Sequence, residues 1–250
     1  RASNETPLGP GPRARAALAA AFAGVGMYPD GSGHELRTRL AAKHGVGIEQ
    51  VTLGNGSNDV LVLLAETFLT PELDAVYSQY AFAVYPIAVQ ATSARASVAP
   101  ARPADDRMAL GHDPAALLAA IGPRTRLMLL ANPNNPTGTW LDGAELDALL
   151  RAVPPEVIVV LDEAYHEYSA GVGVPDGTRW LARYPNLVVT RTFSKAYGLA
   201  GLRVGYALSH PDLANLLNRV RQPFNVSVPG LAAAVAALDA AEAMAADLVI

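Results

Sequence analysis

The sequence contains no cysteine among its 250 residues, which excludes disulfide bridges and thiolate metal sites. It also lacks an excess of positive charge, because 19 lysines and arginines face 23 acidic residues and give a formal net charge of -4. That balance argues against a nucleic-acid or anionic membrane surface, since both favour basic patches. Apolar runs such as residues 157–161 are too short to span a bilayer, and no secretory pattern opens the sequence. We therefore expect a cytoplasmic protein that binds neither nucleic acid nor membranes.

Short apolar runs that alternate with helical patterns are the main feature of the sequence, and hydrophobic residues make up 51% of it. Strands are predicted at residues 51–53, 74–77, 127–130, 157–161, 187–190 and 205–207. Predicted helices include residues 34–44, 59–68, 82–89 and 143–152. Such strands alternating with helices predict an α/β fold, in which a mostly parallel central sheet is flanked by helices on both faces.

Polar or glycine-rich clusters follow four of the predicted strands. In open α/β sheets, ligands bind at the carboxyl ends of the strands, so the clusters predict one composite site. The first cluster is Gly-Asn-Gly-Ser-Asn at residues 54–58, which ends a strand and opens a helix. Backbone N–H groups at a helix N-terminus bind anions, and Ser57 and Asn58 add polar side chains there. Taken alone, the same motif also fits a capped tight turn.

The second cluster surrounds Lys195, which lies between a buried strand and a glycine-rich stretch. Thr192, Ser194 and Arg203 supply two hydroxyls and a cation on the same segment, and these are the groups that bind a phosphate dianion. A lysine amine on a rigid element can also act as a nucleophile toward a carbonyl group. Taken alone, a loop lysine without a role is the simpler interpretation.

Two further strand ends carry an amide and a carboxylate. Asn135 lies in a loop, residues 132–138, whose two prolines hold it rigid, and its amide can be presented to a phenolate-like oxygen. Asp162 ends a buried strand, where a carboxylate needs a cationic partner such as a protonated pyridine nitrogen. Tyr165 can hydrogen-bond a 3′ oxygen on the same ring. The alternatives are an Asn-Pro turn, an N-cap aspartate, or a metal-binding aspartate, although no Gly-Lys-Ser/Thr phosphate loop accompanies the last.

In this order along one chain, the clusters resemble those of the fold-type I pyridoxal 5′-phosphate (PLP) aminotransferases, and the likeness covers essentially all 250 residues. The sequence is most similar to the class-II, histidinol-phosphate aminotransferase branch, through residues 191–206, 132–138, 162–165, 4–10, 28–30 and 54–57. This resemblance implies an N-terminal arm and short helix over residues 1–24 and a PLP-binding large domain over 25–223. It also implies that residues 224–250 begin a helix leading to a C-terminal small domain.

The resemblance implies a role for each catalytic candidate. Lys195 forms a Schiff base with PLP and then moves the proton between the substrate α-carbon and the cofactor. Asp162 pairs with the pyridinium nitrogen, while Asn135 and Tyr165 hold the 3′ oxygen. No metal is expected. The arginine that grips the substrate carboxylate is expected in the small domain, because the sequence reads as part of a longer chain.

The resemblance also assigns the residues that bind the rest of the cofactor. The phosphate is held by Ser57, Asn58, Thr192, Ser194 and Arg203. Phe82 occupies the position of the ring that stacks on PLP, with a core aromatic as the alternative. Tyr28 matches a residue that reaches the cofactor phosphate of the neighbouring subunit, which implies a homodimer with shared sites.

The implied reaction moves the amino group of L-histidinol phosphate to 2-oxoglutarate, giving imidazole acetol phosphate and L-glutamate in histidine biosynthesis. Three alternatives stay open. The chain can belong to an aminotransferase for phenylalanine, tyrosine or another aromatic amino acid, to a decarboxylase on the same scaffold, or to a non-catalytic PLP-binding protein. The aminotransferases and the decarboxylase share the residues that bind PLP, so these residues do not show which of the enzymes the chain belongs to.

Overall fold

The computed structural model describes residues 4–247, with the side chains of residues 4–240. Within this range the strands are β1 (Val51–Gly54), β2 (Asp74–Ser78), β3 (Arg95–Ala99), β4 (Thr125–Ala131), β5 (Ile158–Asp162), β6 (Leu187–Thr192) and β7 (Gly205–Ser209). The α-helices are α1 (Pro12–Ala21), α2 (His34–His44), α3 (Ser57–Phe68), α4 (Val84–Ala91), α5 (Pro114–Ala119), α6 (Gly143–Ala152), α7 (Pro211–Val220) and α8 (Val228–Asp247).

The strands form one seven-stranded sheet in the order β1-β7-β6-β5-β4-β2-β3. Strand β7 runs antiparallel to both of its neighbours, and every other neighbouring pair is parallel. The predicted α/β class with a mostly parallel sheet is therefore confirmed. Strand β3 and helix α5 were not among the predicted elements, and the reversed direction of β7 was not predicted either.

Every residue of β5 and β6 is buried, and so is every residue of β4 except Arg126, because helices cover both faces of the sheet. Side chains of β4 alternate between two hydrophobic clusters. Met128 and Leu130 lie in one cluster, and Leu127 and Leu129 lie in the other. Since successive strand residues point to opposite faces, this division shows that each face has its own core.

The topology brings the ends of several strands to one edge of the sheet. Strands β4, β5 and β6 are parallel neighbours that end at Ala131, Asp162 and Thr192. Strand β1 ends at the same edge, where its Gly54 lies opposite Gly205 at the start of β7. A Cβ on Gly205 would lie 2.1 Å from the backbone nitrogen of Ser57, so a glycine is needed for helix α3 to begin this close to the sheet.

Candidate functional site

A pocket of about 370 Å³ opens at this edge of the sheet. All the site residues singled out from the sequence line it except Tyr28; the lining set is Ser57, Asn58, Phe82, Asn135, Asp162, Tyr165, Thr192, Ser194, Lys195 and Arg203. Glu5 of the N-terminal arm also lines the pocket. The predicted composite site is thus assembled in one place, from residues that are spread over most of the chain.

One end of the pocket is rich in hydrogen-bond donors. Ser57 and Asn58 are the first two residues of α3, so their N–H groups have no partner within the helix. The guanidinium of Arg203 packs against Gly56, where a Cβ would lie 2.3 Å from Nη2. Arg203 Nη1 also donates to the hydroxyl of Ser194 at 3.4 Å. A helix N-terminus, a cation and a hydroxyl around one space form an anion site.

A buried carboxylate also lines the pocket. Asp162 is only 3% exposed, and burial raises the pKa of its carboxyl above the ordinary value. Its Oδ2 accepts a hydrogen bond from Tyr85 and its Oδ1 accepts one from Thr190, both at 3.1 Å. Among the described side chains Asp162 has no ion-pair partner within 4.0 Å. A cationic group in the pocket would therefore compensate the buried charge of the Asp162 carboxylate.

An amine and a phenol also line the pocket, and two side-chain amides bond to the phenol. Lys195 Nζ donates to the backbone oxygen of Asn4 at 3.1 Å and lies 5.5 Å from the ring centroid of Tyr165. The Tyr165 hydroxyl accepts hydrogen bonds from the side-chain amides of Asn4 at 3.0 Å and Asn135 at 3.4 Å. The arrangement places a nucleophilic amine beside groups that can hold a phenolic oxygen.

The loop that carries Asn135 is fixed by its own polar side chains. The Asn132 amide exchanges two hydrogen bonds with the backbone of Leu141, at 3.1 and 2.8 Å. Asn134 donates to the backbone oxygen of Tyr80 at 2.8 Å, and both Asn-Pro peptide bonds of the loop are cis. Two asparagines therefore shape the loop, and the third is left to face the pocket.

A second polar network lies next to the pocket but points away from it. Arg191 donates to Glu163 from Nε at 3.0 Å and from Nη2 at 2.7 Å, and both side chains are almost fully buried. Arg191 also pairs with Asp176 at 2.7 Å. Sequence reasoning did not assign this pair, although Glu163 directly follows Asp162. A charged residue of each sign at neighbouring strand ends is the signal that could have found it.

Tyr28 lies apart from this pocket. Its side chain is 82% exposed and stacks on Phe224, with ring centroids 4.8 Å apart. Together with Asn55, the two rings line a separate surface pocket. Sequence reasoning also missed Asn4, Tyr85 and Thr190, because the bonds they make join residues far apart in the chain.

The residues of the main pocket fit PLP. That molecule carries a phosphate, a phenolic oxygen, an aldehyde and a basic ring nitrogen, and the pocket offers an anion site, a phenol with amides, an amine and an unpaired carboxylate. In the part of the chain that the structure describes, no group of three or more His, Cys, Asp or Glu side chains could hold a metal ion. Nor do the described helices include one long and apolar enough to cross a membrane.

Comparison with known proteins gives consistent matches. The model of the family described as aminotransferase class I and II matches residues 2–248. Histidinol-phosphate aminotransferase 2 of Pseudomonas fluorescens is 58% identical over 238 residues, which are 95% of this chain and 63% of that protein. The Pseudomonas aeruginosa protein of the same name shows the same identity and coverage.

A solved structure matches over the same range. The crystal structure of histidinol-phosphate aminotransferase from Sinorhizobium meliloti in complex with PLP superposes with a TM-score of 0.90 at 33% identity. The match covers 98% of this chain and 65% of that one. The chain spans about 63% of the length of the curated relatives named above.

Proposed function

Because the chain belongs to the aminotransferase class I and II family, we propose that its pocket binds PLP and uses it to transfer amino groups. The observation that carries the proposal is the buried carboxylate of Asp162, which has hydroxyl partners but no cation within 4.0 Å among the described side chains. A pyridinium nitrogen supplies that cation, and the donor groups at the start of α3 suit the phosphate. Lys195 lines the same pocket and supplies the amine that the aldehyde needs.

The cofactor supplies a ring that withdraws electrons from the substrate α-carbon. In this proposal Lys195 would hold the cofactor through its amine, and, once the substrate amine has displaced it, that amine would carry the proton between the substrate α-carbon and the cofactor. Asp162 keeps the ring nitrogen protonated, and Asn135 and Tyr165 donate to the 3′ oxygen. Phe82 covers one face of the ring.

Phosphate binding is the second part of the proposal. Helix α3 contributes its first N–H groups and its positive end, and the nearby side chains contribute hydroxyls and a guanidinium. The residues proposed to hold the phosphate are Ser57, Asn58, Thr192, Ser194 and Arg203.

The proposed donor is L-histidinol phosphate, with 2-oxoglutarate as the acceptor. The support comes from relatives of that name at 58% identity over 95% of this chain. In that reaction the protein acts in histidine biosynthesis, and we propose a cytoplasmic location for it. The carboxylate-binding arginine is proposed to lie outside residues 1–250.

We further propose that the protein works as a homodimer, in which Tyr28 reaches the phosphate at its partner's site. Large apolar side chains are exposed around Tyr28 and support the proposal, since contiguous exposed apolar surface marks interaction sites. They are Phe22 at 61%, Val25 at 55%, Met27 at 77% and Phe224 at 45% exposure.

A panel of amino donors tests the substrate assignment. The full-length protein is incubated with 2-oxoglutarate and either histidinol phosphate, phenylalanine or tyrosine, and glutamate formation is measured. We expect histidinol phosphate to give the highest kcat/KM. A preference for phenylalanine or tyrosine would contradict the proposed donor while leaving the proposed chemistry intact, and no glutamate with any donor would contradict both.

A further inference from the structure

The carboxylate of Asp162 is held by two hydroxyl groups, one on each oxygen. Tyr85, in the first turn of α4, donates to Oδ2, and Thr190, next to Asp162 on strand β6, donates to Oδ1. Tyr85 is fully buried, so its hydroxyl has no access to solvent. Both bonds are 3.1 Å long. The plane of the carboxylate is therefore set by contacts from two different elements.

We propose that Tyr85 is a positioning residue, which acts through Asp162 to hold the cofactor's pyridine nitrogen in its protonated state. The inference rests on the proposed PLP function of the pocket. Thr190 has the same positioning role, through its hydrogen bond to the other carboxylate oxygen, Oδ1. Neither hydroxyl is among the groups that line the pocket, so neither touches the cofactor itself.

The electrostatics of the site favour this role. Burial raises the pKa of the Asp162 carboxyl, whereas hydrogen bonds from Tyr85, Thr190 and the backbone N–H of Ala164 lower it. Burial also raises the pKa of Tyr85 well above its ordinary value, so the phenol stays protonated and stays a donor. The two hydroxyls, together with the charge of Lys195, therefore favour the ionised form of the carboxyl against the effect of burial, and that form is the one with which a cationic ring nitrogen pairs.

The same segment also positions the ring that faces the cofactor. Phe82, which lines the pocket, precedes Tyr85 by three residues, and their rings meet edge to face with centroids 5.9 Å apart. The ring of Tyr77 on β2 also packs against Tyr85, with ring centroids 6.4 Å apart. The single turn that contains Phe82 and Tyr85 therefore positions both the aromatic ring proposed to stack on PLP and the Asp162 carboxylate proposed to pair with the pyridine nitrogen.

The test is the substitution Tyr85→Phe in the full-length holoenzyme, which removes the hydroxyl and keeps the ring. Two quantities are measured: the PLP dissociation constant, and the protonation of the ring nitrogen by nitrogen NMR of isotope-labelled cofactor. We expect PLP to bind about tenfold more weakly, the loss that one hydrogen bond to a charged group gives, and the nitrogen to be less protonated. Unchanged values for both would overturn the inference.

Tyr77→Phe is the matched control, because Tyr77 lies in the same cluster but makes no side-chain hydrogen bond to Asp162. It should leave both quantities unchanged. Thr190→Val is the second arm and should weaken PLP binding as Tyr85→Phe does, whereas Thr190→Ser should restore it. This arm keeps the test decisive if Tyr85→Phe folds poorly.

Asp162→Asn distinguishes action through the carboxylate from a general loss of packing. Adding Tyr85→Phe to Asp162→Asn should weaken PLP binding no further, because the group on which Tyr85 acts has already been changed. If the double variant binds PLP about tenfold more weakly than Asp162→Asn alone, the inference is overturned. If the wild-type protein itself binds no PLP, the proposed function fails; if only Tyr85→Phe behaves as wild type, this inference fails alone.

Discussion

At the scale of single residues, two adjacent carboxylates have opposite surroundings. Asp162 faces the pocket beside Thr190, and Glu163 faces away from it and pairs with Arg191. Strand residues alternate between faces, so the consecutive residues Thr190 and Arg191 of β6 point to opposite sides. Their partners are Asp162, the last residue of β5, and Glu163, which follows it. The paired carboxylate holds the strand ends together, and the one without a cationic partner is available to a ligand.

Replacing the paired carboxylate should destabilise the fold. Glu163→Gln leaves the Arg191 guanidinium buried with Asp176 as its remaining acidic partner. We expect the free energy of unfolding to fall by roughly 2 to 3 kcal/mol, because the buried guanidinium loses one of its two acidic partners and its hydrogen bonds to a charged oxygen. Urea denaturation measures it.

The matched control is Glu35→Gln, which breaks an exposed ion pair with Arg39 on helix α2. Exposed pairs contribute about 0.5 kcal/mol or less, so the control should unfold almost as wild type does. Equal stability of the two variants would contradict the structural role of Glu163.

The residues of the pocket could be predicted from the sequence because each follows a strand, in a recognisable order. Lys195, Asp162 and Asn135 all belong to such segments. Their partners could not be predicted, since Tyr85 lies 77 residues from Asp162 and Asn4 lies 191 residues from Lys195. Only the folded sheet brings these positions together, and no local pattern marks them.

At the scale of elements, the turn before α3 makes the anion site possible. Gly56 has a φ of +85°, and the side of its Cα that would carry a Cβ is filled by the guanidinium of Arg203. The absence of a side chain therefore serves two purposes there. It allows the left-handed turn, and it lets a cation lie against the start of the helix.

Gly56→Ala should therefore weaken PLP binding. The added methyl group would displace Arg203, and we expect the PLP dissociation constant to rise about tenfold or more, since a charged contact to the phosphate is lost. A fluorescence titration of the full-length apoprotein measures it.

Gly45→Ala is the matched control for this change. Gly45 follows α2 with a φ of +64° and has open space where a Cβ would point, so it tests a substitution at positive φ without a clash. It should lower stability by about 1 kcal/mol and leave the PLP dissociation constant unchanged. If both variants bind PLP as wild type does, Arg203 does not hold the phosphate.

The predicted elements agree with the structure where the pattern is strong. Helix α6 begins at Gly143 and ends at Ala152 as predicted, since Asp142 and Glu145 form a capping box at its start. Strand β3 was missed because it is an edge strand whose residues are largely exposed. The reversed direction of β7 has no sequence signal, because its residues are buried throughout, as are those of the parallel strand β5.

At the scale of the whole molecule, one buried and two partly buried histidines tie stability to pH. Burial lowers the pKa of His44 to about 3 and that of His112 and His166 to about 4. In the unfolded chain these groups take up protons near pH 6.5, while in the folded chain they stay neutral. The unfolded state therefore binds more protons between about pH 6.5 and 4, and stability is lost as the pH falls.

We expect the free energy of unfolding to decline through this range by up to about 1.4 kcal/mol per pH unit for each histidine. Denaturant unfolding at a series of pH values measures the slope. His44→Gln should reduce that slope by about one proton, whatever its effect on the absolute stability. An unchanged slope in His44→Gln would show that His44 takes up its proton in the folded state as well.

The exposed apolar surface around Tyr28 predicts how the molecule associates. Met27→Lys places a charge on that surface, at a side chain that is 77% exposed. We expect the proposed dimer to dissociate, as measured by sedimentation equilibrium of the full-length protein. Burying an unpaired lysine in an interface is strongly unfavourable, whereas the same charge in solvent is harmless to the monomer.

Val98→Lys serves as the control, because Val98 is 52% exposed on β3, at the edge of the sheet opposite to β1. This variant should sediment as wild type does. A wild-type protein that is monomeric at all concentrations, or a Met27→Lys variant that stays dimeric, would contradict the assignment of this surface.

The central claim is that Lys195 holds PLP in the pocket, and reductive trapping tests it most directly. The full-length protein is incubated with PLP, reduced with borohydride, digested and mapped by mass spectrometry. The account predicts a pyridoxyl group on the peptide that contains Lys195, and none there in Lys195→Ala. A label on another lysine, or no label after reconstitution, would contradict it.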